Sequence, residues 1–470
     1  MGDFSSSLDM NVRMMNEKLR VDKNFDMLTR EIEIGGKRAA FYFIDGFVQE
    51  DMVEKLMQFF YSLKESDMKD IDTFLQKGMP YTEIEKNGHF DEVEKAFLSG
   101  QSVMLVDGYD ECILIDCRTY PMRSVTEPWK DKVLRGPRDG FVETLVSNAA
   151  LLRRRIRDDK FSMEMFQVGS RSKTDVAVCY IDDKVDKKLL NQIEYYIEHI
   201  EVEALTMNIE SLAECMFRGK WINPFPKYKY SERPDTAAAA VLDGNIVIMV
   251  DTSPAVMIIP TSIFDVIEEA DDFNFSPMIG TYIRISRFFF TILTVFLTPV
   301  WLLLQSNPQW VPEWLEFITI TEDITVPVIL QLFILELAVD GLKLAAVNTP
   351  SMLSTPLSIL AGIVVGEYAV ESGWFNSESL LYMAVVTLGT YSQASFEMGY
   401  ALKFIRIVNL VLVQFFGAFG LLAGFIFAIC MVCFNRTISG KSYIYPIVPF
   451  DWEMLKRKVL RVRLPHYIKK

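Results

Sequence analysis

Glu336, Asp340 and Lys343 stand in an otherwise apolar segment, at spacings of four and three. On a helix these positions share one face, so a single stripe carries all three charges. Glu336 and Asp340 would approach one another only through a shared proton or cation, whereas Asp340 and Lys343 could form a salt bridge. A charge at mid-bilayer costs at least roughly 2.5 kcal/mol, so the stripe should face other helices or water and not lipid. Two readings follow: a polar path for ions, or an ion pair that locks helices together, with a helix lying flat at the interface as a variant. Glu367 is the next candidate for the path, although its place near a segment end also suits the headgroups. Gly362 and Gly366 interrupt the short run around it and mark that run for re-entrance or close packing.

The elements that must hold these residues are apolar runs at about 288–304, 324–347, 355–370, 380–396 and 404–434. A stretch of about 20 apolar residues spans the hydrocarbon core as a helix. Several in succession predict a transmembrane domain over 284–434, with 4–6 membrane segments. Arg284 and Arg287 precede the first run. The following loop, Gln305 to Thr325, has no Lys or Arg and carries Glu313, Glu316, Glu322 and Asp323. The positive-inside rule then puts the N-terminal region on the cytoplasmic side, with Trp301, Trp310 and Trp314 at the outer interface. A basic C-terminal tail also belongs inside, so the number of crossings must be even, yet five runs are present. Either 355–370 is re-entrant, or the run from Phe404 to Phe434 is two elements broken at Gly417-Ala-Phe-Gly420; the sequence leaves both open.

The tail, 435–470, holds nine Lys/Arg and two Asp/Glu in a chain of net charge −14. Trp452, Leu455, Val459 and Val462 recur on one helical face, with Lys456, Arg457, Lys458, Arg461 and Arg463 among them and Asp451 placed to cap the start. A basic amphipathic helix on an anionic lipid surface fits this pattern; a calmodulin-type target is the alternative. The acidic charge of the whole chain argues against nucleic acid as a partner.

Residues 1–287 mix charged and apolar positions as a soluble protein does, although the whole chain has a mean hydropathy of +0.18. Met1 to Asn24 is charged throughout and has no continuous apolar core of a signal peptide. Two stretches look alike. Lys37 to Asp45 is a strand-like run leading into a helical pattern from Val48, and Lys173 to Asp182 leads into another from Val185. Val103 to Asp107 after Gly100 is matched by Ile246 to Asp251 after Gly244. Short Val- and Ile-rich runs bounded by Asp and Gly read as buried strands. The fold class expected is therefore α/β or α+β, with two related cytoplasmic subdomains at 26–132 and 133–283 behind an N-terminal extension, 1–25.

Nothing in this half points to an enzyme. It has no phosphate-binding glycine loop, dinucleotide fingerprint or nucleophile elbow, so no catalytic residue is assigned. His89, His199 and His466 are scattered, and Cys112, Cys117, Cys179 and Cys215 lack metal or disulfide spacing, so no metal or cofactor is expected. Cys430 and Cys433 form a C-x-x-C within an apolar run, where packing is the better reading.

Ordered blocks in the centre of the chain resemble a known family. Arg135-Gly-Pro-Arg-Asp-Gly-Phe-Val-Glu143 and the stretch from Asn148 to Arg157 are similar to the central signature of the GerA-type spore germination receptor A subunits. Val168 to Thr174, Asn223-Pro-Phe-Pro226, Ser231 to Asp235, Asp243 to Val247 and Gly362 to Glu371 match further blocks. The wording of Ala39 to Phe47 and Val103 to Pro121 is most like the stage V sporulation protein AF branch. The resemblance implies a multi-pass protein of the spore inner membrane, a ring-like homo-oligomer around an ion-conducting pore, and other spore inner-membrane germination proteins as partners. It attributes nutrient recognition mainly to a different, transporter-like subunit, and links the AF branch to dipicolinic acid release. The chain departs from the family pattern between Asp340 and Pro350, so no gating detail is carried over there. Arg153, Arg154 and Arg155 could contact acidic surfaces of neighbouring subunits or lipid headgroups; a solvated helix face over a buried Leu151-Leu152 edge is the alternative.

Overall fold

The computed structural model describes the chain except residues 1–2, 20, 22–26, 45–47, 49, 78–82, 119–131, 157, 159, 218–221, 322, 350–361, 363–365, 367 and 463–470. It forms two units, Met1–Arg123 and Ser124–Lys470.

In the first unit, strands β1 (Met27–Ile34) and β2 (Lys37–Ile44) form a hairpin closed by Gly35 and Gly36, at φ of 51° and 78°. Two consecutive positive φ values are what a tight hairpin turn requires, and glycine reaches them without steric cost. With β3 (Ile84–Asn87), β4 (Ser102–Val106) and β5 (Cys112–Ile115) the sheet runs β1-β2-β4-β5-β3, and every pairing is antiparallel. Helices α1 (Leu8–Leu19) and α4 (Phe90–Leu98) cover one face; α2 (Glu50–Phe60) and α3 (Ile71–Lys77) cover the other.

The second unit repeats this plan. Strands β6 (Phe161–Val168), β7 (Thr174–Ile181), β8 (Lys229–Ser231), β9 (Ile246–Val250) and β10 (Val256–Ile259) run β6-β7-β9-β10-β8, again antiparallel. Helices α5 (Leu145–Arg155) and α8 (Pro234–Leu242) lie on one face, α6 (Lys187–Glu198) and α7 (Asn208–Met216) on the other. Because both faces of each sheet are covered, β4, β5, β9 and β10 are buried at every position. That is why they read as continuous apolar runs and not as alternating strands. The antiparallel pairing decides the fold class between the two expected: α+β.

The repeat extends to single hydrogen bonds. In the first unit the buried Asn11 amide accepts from Ser5 N–H at 2.9 Å and donates to Ser5 C=O at 2.7 Å, while Leu8 N–H donates to Asp107 at 3.1 Å. In the second, Asn148 does the same with Val142 at 2.8 and 2.6 Å, and Leu145 N–H donates to Asp251 at 3.0 Å. Helix α1 is thus the counterpart of α5, and its Leu8, Met15 and Leu19 are buried. The N-terminal extension expected over 1–25 is corrected accordingly: its helix belongs to the core of the first unit. Its charges sit on the outer side of an amphipathic helix, which hid the apolar stripe from a search for continuous runs.

The helical part of the second unit begins with two short helices, α9 (Ile263–Ile267) and α10 (Asp271–Asn274). Four longer ones follow: α11 (Pro277–Ser306), α12 (Val328–Asn348), α13 (Ser377–Tyr391) and α14 (Phe396–Cys433). A last short helix, α15 (Trp452–Val459), lies in the tail. Among the described residues two helices, α11 and α14, are long and apolar enough to cross a membrane. Helix α12 carries the three charges of the stripe, and α13 is 15 residues long. The run 355–370 lies outside the described residues apart from Gly362, Gly366 and Tyr368 onward.

Helix α14 is two arms. Gly417 has φ 57° and ψ −130°, non-helical values in the half of the map that favours glycine. Beyond it the chain doubles back. A Cβ on Gly420 would lie 1.9 Å from the Leu412 carbonyl oxygen, and one on Gly424 would lie 2.2 Å from Asn409 Oδ1. Of the two candidate breaks in the sequence, the one at Gly417 is present as a helical hairpin, 396–416 and 418–433.

Candidate functional site

The stripe on α12 meets the first arm of α14. Glu336 is 4% exposed, and its carboxylate is taken on both oxygens: Arg406 Nε donates to Oε1 at 2.6 Å, and Lys403 Nζ lies 3.3 Å from Oε2. Lys403 also pairs with Asp340 and donates to the Glu336 carbonyl at 3.2 Å. Arg406 Nη1 donates to the Thr294 carbonyl at 2.9 Å, which adds α11 to the cluster. Glu336 and Asp340 therefore share Lys403, and Arg406 of the same helix completes Glu336. The expected Asp340–Lys343 pair is not the arrangement found: the Lys343 ammonium lies over the rings of Tyr391 and Tyr400, at 4.7 and 5.2 Å.

Two negative and three positive side chains so gather inside an apolar bundle. Burial strips Glu336, Lys403 and Arg406 of water, and mutual pairing is what makes that burial tolerable, while Asp340 and Lys343 are half-buried. Lys403 and Arg406 are partners that the sequence reading does not single out. A signal for them exists: a spacing of three puts both on one face of a long apolar helix, complementary to the Glu336–Asp340 spacing of four.

Beside this cluster, several buried polar groups have no partner among the described residues. They include Thr294 Oγ1, Thr298 Oγ1, both amide atoms of Asn409 and Asp340 Oδ1. Further along, Gln331 and Asn376 satisfy each other: Gln331 Nε2 donates to Asn376 Oδ1 at 2.7 Å, and Asn376 N–H donates to Gln331 Oε1 at 3.0 Å. Contacts give the helix directions. Trp301 packs on Tyr382 at 4.8 Å, and Thr291 bonds Gln393 at 3.1 Å, so α11 and α13 are antiparallel. Gln331 meets Asn376 and Lys343 meets Tyr391, so α12 and α13 are parallel.

A second charged cluster joins α11 to the preceding helices and to the tail. Arg284 pairs with Glu268 and lies 3.3 Å from Asp272; Arg287 lies 3.0 Å from Asp272 and 2.7 Å from Glu269. The two arginines expected as membrane-flanking charge are thus buried. Lys458 pairs with Asp265 at 2.5 Å and Glu268 at 3.2 Å, and Arg284 Nη1 donates to the Arg457 carbonyl at 2.9 Å. Burial pushes the Asp265 and Glu268 carboxyls up, but Lys458 and the neighbouring cations outweigh it and hold both below the usual range. Asp451 caps α15 as expected, accepting from Met454 N–H at 3.0 Å. Trp452 and Lys456 are exposed. Lys458 and Arg461, expected on a membrane surface, instead face the protein, Arg461 lying 4.9 Å over the Phe273 ring. Trp301, expected at the outer interface, is buried, with Nε1 donating to the Ile318 carbonyl at 2.9 Å.

The Asn223-Pro-Phe-Pro226 block is a plug between the second sheet and the bundle. Asn223 Nδ2 donates to the Met431 carbonyl at 2.6 Å, Phe225 packs with Val295, Met398 and Ile405, and buried Lys227 donates to Asn435. Burial lowers the Lys227 ammonium to about 8, with Glu397 opposing.

The remaining candidates divide. Arg155 holds Asp139 at 2.6 Å, fastening the Gly136-to-Gly140 loop, while Arg154 is exposed. Leu152, beneath them, is buried. The side chain of Arg153, and Glu367 and Arg463, lie outside the described residues. A Cβ added at Gly362 or Gly366 would meet no described atom within 4 Å; close helix contact falls instead at Gly389, Gly420 and Gly424.

Comparison with known proteins agrees over nearly the whole length. The family model for the Bacillus/Clostridium GerA spore germination protein matches residues 13–470. Stage V sporulation protein AF of Bacillus subtilis (strain 168) is 34% identical over 457 residues, 97% of this chain and 92% of that protein. The uncharacterized membrane protein YfkQ of the same organism is 25% identical over 461 residues, covering 97% and 89%. Among solved structures, the N-terminal domain of the A subunit of the Bacillus megaterium spore germinant receptor GerK3 matches at 22% identity and a TM-score of 0.21. It covers 54% of this chain and 95% of that one. The chain belongs to the GerA family of spore germination proteins.

Proposed function

We propose that this chain is a multi-pass subunit of an ion-conducting complex of the spore inner membrane, contributing to ion release during germination. Its soluble units and tail then face the same, inner side. The observation that carries the reading is the set of buried Glu336, Lys403 and Arg406 with half-buried Asp340 and Lys343 inside an apolar bundle. Ionisable groups at that depth are costly and mark ion paths by default. Membership of a germination family supports the setting, and the two long apolar helices support the membrane. The direction of the helices is consistent with an even number of crossings: α12 and α13 run parallel, so Asn348 and Ser377 lie at opposite ends of that pair.

One observation favours a second reading. Both oxygens of Glu336 are occupied by cations of the same chain, which suits a lock between helices and a non-conducting scaffold for germinant receptor or dipicolinic acid release complexes. Reconstitution in liposomes, alone and with co-purifying spore membrane proteins, separates the two. A channel subunit gives ion flux that changes in Asp340→Asn; a scaffold gives none in any combination, and partner recovery then depends on Arg154 and the tail. A homo-oligomer, anionic lipid and membrane partners are the associations proposed, and no nucleic acid.

A further inference from the structure

Thr294, Thr298 and Asn409 are fully buried, and their side-chain oxygens have no partner among the described residues; neither does the Asn409 amide nitrogen. Buried polar groups in folded proteins are almost always hydrogen-bonded, to protein or to ordered water. Their positions give the reason to think of one site and not scattered defects. Arg406 donates to the Thr294 carbonyl, which sets those two at one level of the bundle. Val295 packs with Leu402 and Ile405, and Leu302 and Leu303 pack with Leu410 and Val413, so α11 and the first arm of α14 run parallel. Thr298 lies one turn beyond Thr294, and Asn409 lies one turn beyond Arg406, in the same direction. The polar levels therefore stack: Asp340 with Lys403, then Glu336 with Arg406 and Thr294, then Thr298 and Asn409.

The stack has a floor. Leu332 and Leu335 of α12 meet Trp301, Leu302, Leu410 and Val413 in a buried apolar layer directly beyond Asn409. On its far side stands the closed Gln331–Asn376 pair. At the other end Asp340 is only partly buried, with a side-chain exposure of 30%.

We propose that the interior between α11, α12 and the first arm of α14 binds a file of water molecules. The file reaches from Asp340 past the Glu336–Arg406 pair to Thr298 and Asn409, and ends at the Leu332–Leu410 layer. Water supplies an acceptor for the Thr298 hydroxyl and the Asn409 amide nitrogen, and a donor for Asp340 Oδ1; Thr294 Oγ1 and Asn409 Oδ1 instead pack on Gly389 and Gly424. The site lies within a single chain and needs no second copy. The file opens at the end where the second sheet joins the bundle, since Phe225 packs there with Met398. It rests on the membrane reading above only in making that end the inner one.

Silver ion, which follows water into narrow paths and captures thiolates, tests it on the full-length protein in detergent micelles. Thr298→Cys and Asn409→Cys should each add a thiol that silver nitrate consumes ten-fold or more faster than the thiol of Leu332→Cys, above the background of the unsubstituted protein. If the 298 and 409 thiols react as slowly as the one at 332 in protein that elutes as a monodisperse species, the interior is dry or filled by other side chains, and the proposal is overturned. Thr298→Val, which keeps the volume and removes only the hydroxyl, supplies a second readout. A water-held hydroxyl predicts a lower melting temperature, because valine gives up its bond to the file; a dry orphan predicts a higher one, which would contradict the site. Neither readout measures conduction, so a hydrated interior in a protein that passes no current would leave this site standing while the channel reading fell.

Discussion

Arg406 Nε lies 2.6 Å from the Glu336 carboxylate, across 70 residues of sequence and between two different helices. The pair fixes where α12 can sit against α14: sliding either helix by a turn would leave an arginine or a glutamate alone in an apolar interior. Lys403 reinforces the same register through Glu336 and Asp340.

Removing one partner should therefore cost more than removing both. Glu336→Gln leaves the buried Arg406 without a counter-ion, a loss of about 3–5 kcal/mol, whereas Arg406→Gln leaves Glu336 with Lys403 alone and should cost less. The double substitution should recover at least about 1 kcal/mol of the summed loss. Unfolding in mixed micelles across the four proteins measures this coupling, and strictly additive losses would contradict the pairing.

The hairpin at Gly417 makes a steric prediction. A methyl group on Gly420 would lie 1.9 Å from the Leu412 carbonyl oxygen, a backbone atom that has nowhere to go. Gly420→Ala should lower stability by roughly 1–3 kcal/mol, as overpacking does, and loosen the two arms. Gly440→Ala, where a Cβ meets no described atom although φ is 64°, should cost less. Thermal unfolding of the two variants compares them; equal losses would argue that the arms are not in contact.

The tail prediction concerns charge. Lys458→Ala leaves the partly buried Asp265 without its cation and Glu268 with Arg284 alone, and should free α15 from the bundle. Tryptic cleavage after Lys456 and Arg457 should then quicken about ten-fold, the equivalent of about 1.4 kcal/mol of lost docking. An unchanged rate would mean that the helix is held elsewhere.

Lys227 gives the pH dependence. Its ammonium is lowered from 10.5 to about 8 in the folded chain by burial. Between those two values the unfolded chain binds more protons than the folded one, so stability rises as pH increases through that window. Below about 8 the folded chain carries the cost of a buried ammonium in full. Lys227→Met should remove the rise and increase stability at pH 7. Melting temperatures of both proteins from pH 7 to pH 10 test the sign; a parallel fall in both would contradict it.

Much of the architecture is legible in the sequence because covered strands leave a plain trace. Val103 to Val106 and Ile246 to Val250 are apolar at every position, since helices pack on both faces of each sheet. The edge strands β1 and β6 are not legible: Met27–Ile34 and Phe161–Val168 each bury only two residues and interrupt their apolar positions with charge. Helix α1 is hidden for a similar reason, its buried contribution resting on four positions in 12. At the site, the α12 stripe is visible because charge is conspicuous in an apolar run. Its partners are not, because Lys403 and Arg406 stand near the start of a run, where cations read as membrane flanks. Burial of Lys458 depends on Asp265 and Glu268, 190 or more residues away, and a basic amphipathic pattern looks the same whether it rests on lipid or on carboxylates.

That the charged set on α12 and α14 governs ion passage is tested most directly by ion flux into liposomes holding the full chain with its co-purifying membrane partners. Wild type should be compared with Glu336→Gln and with Glu336→Gln/Arg406→Gln at matched insertion. The expected result is flux in the wild type, an altered rate when Arg406 is left unpaired, and partial return toward the wild-type rate in the double variant. Equal flux in all three proteins, or none in any, would contradict it.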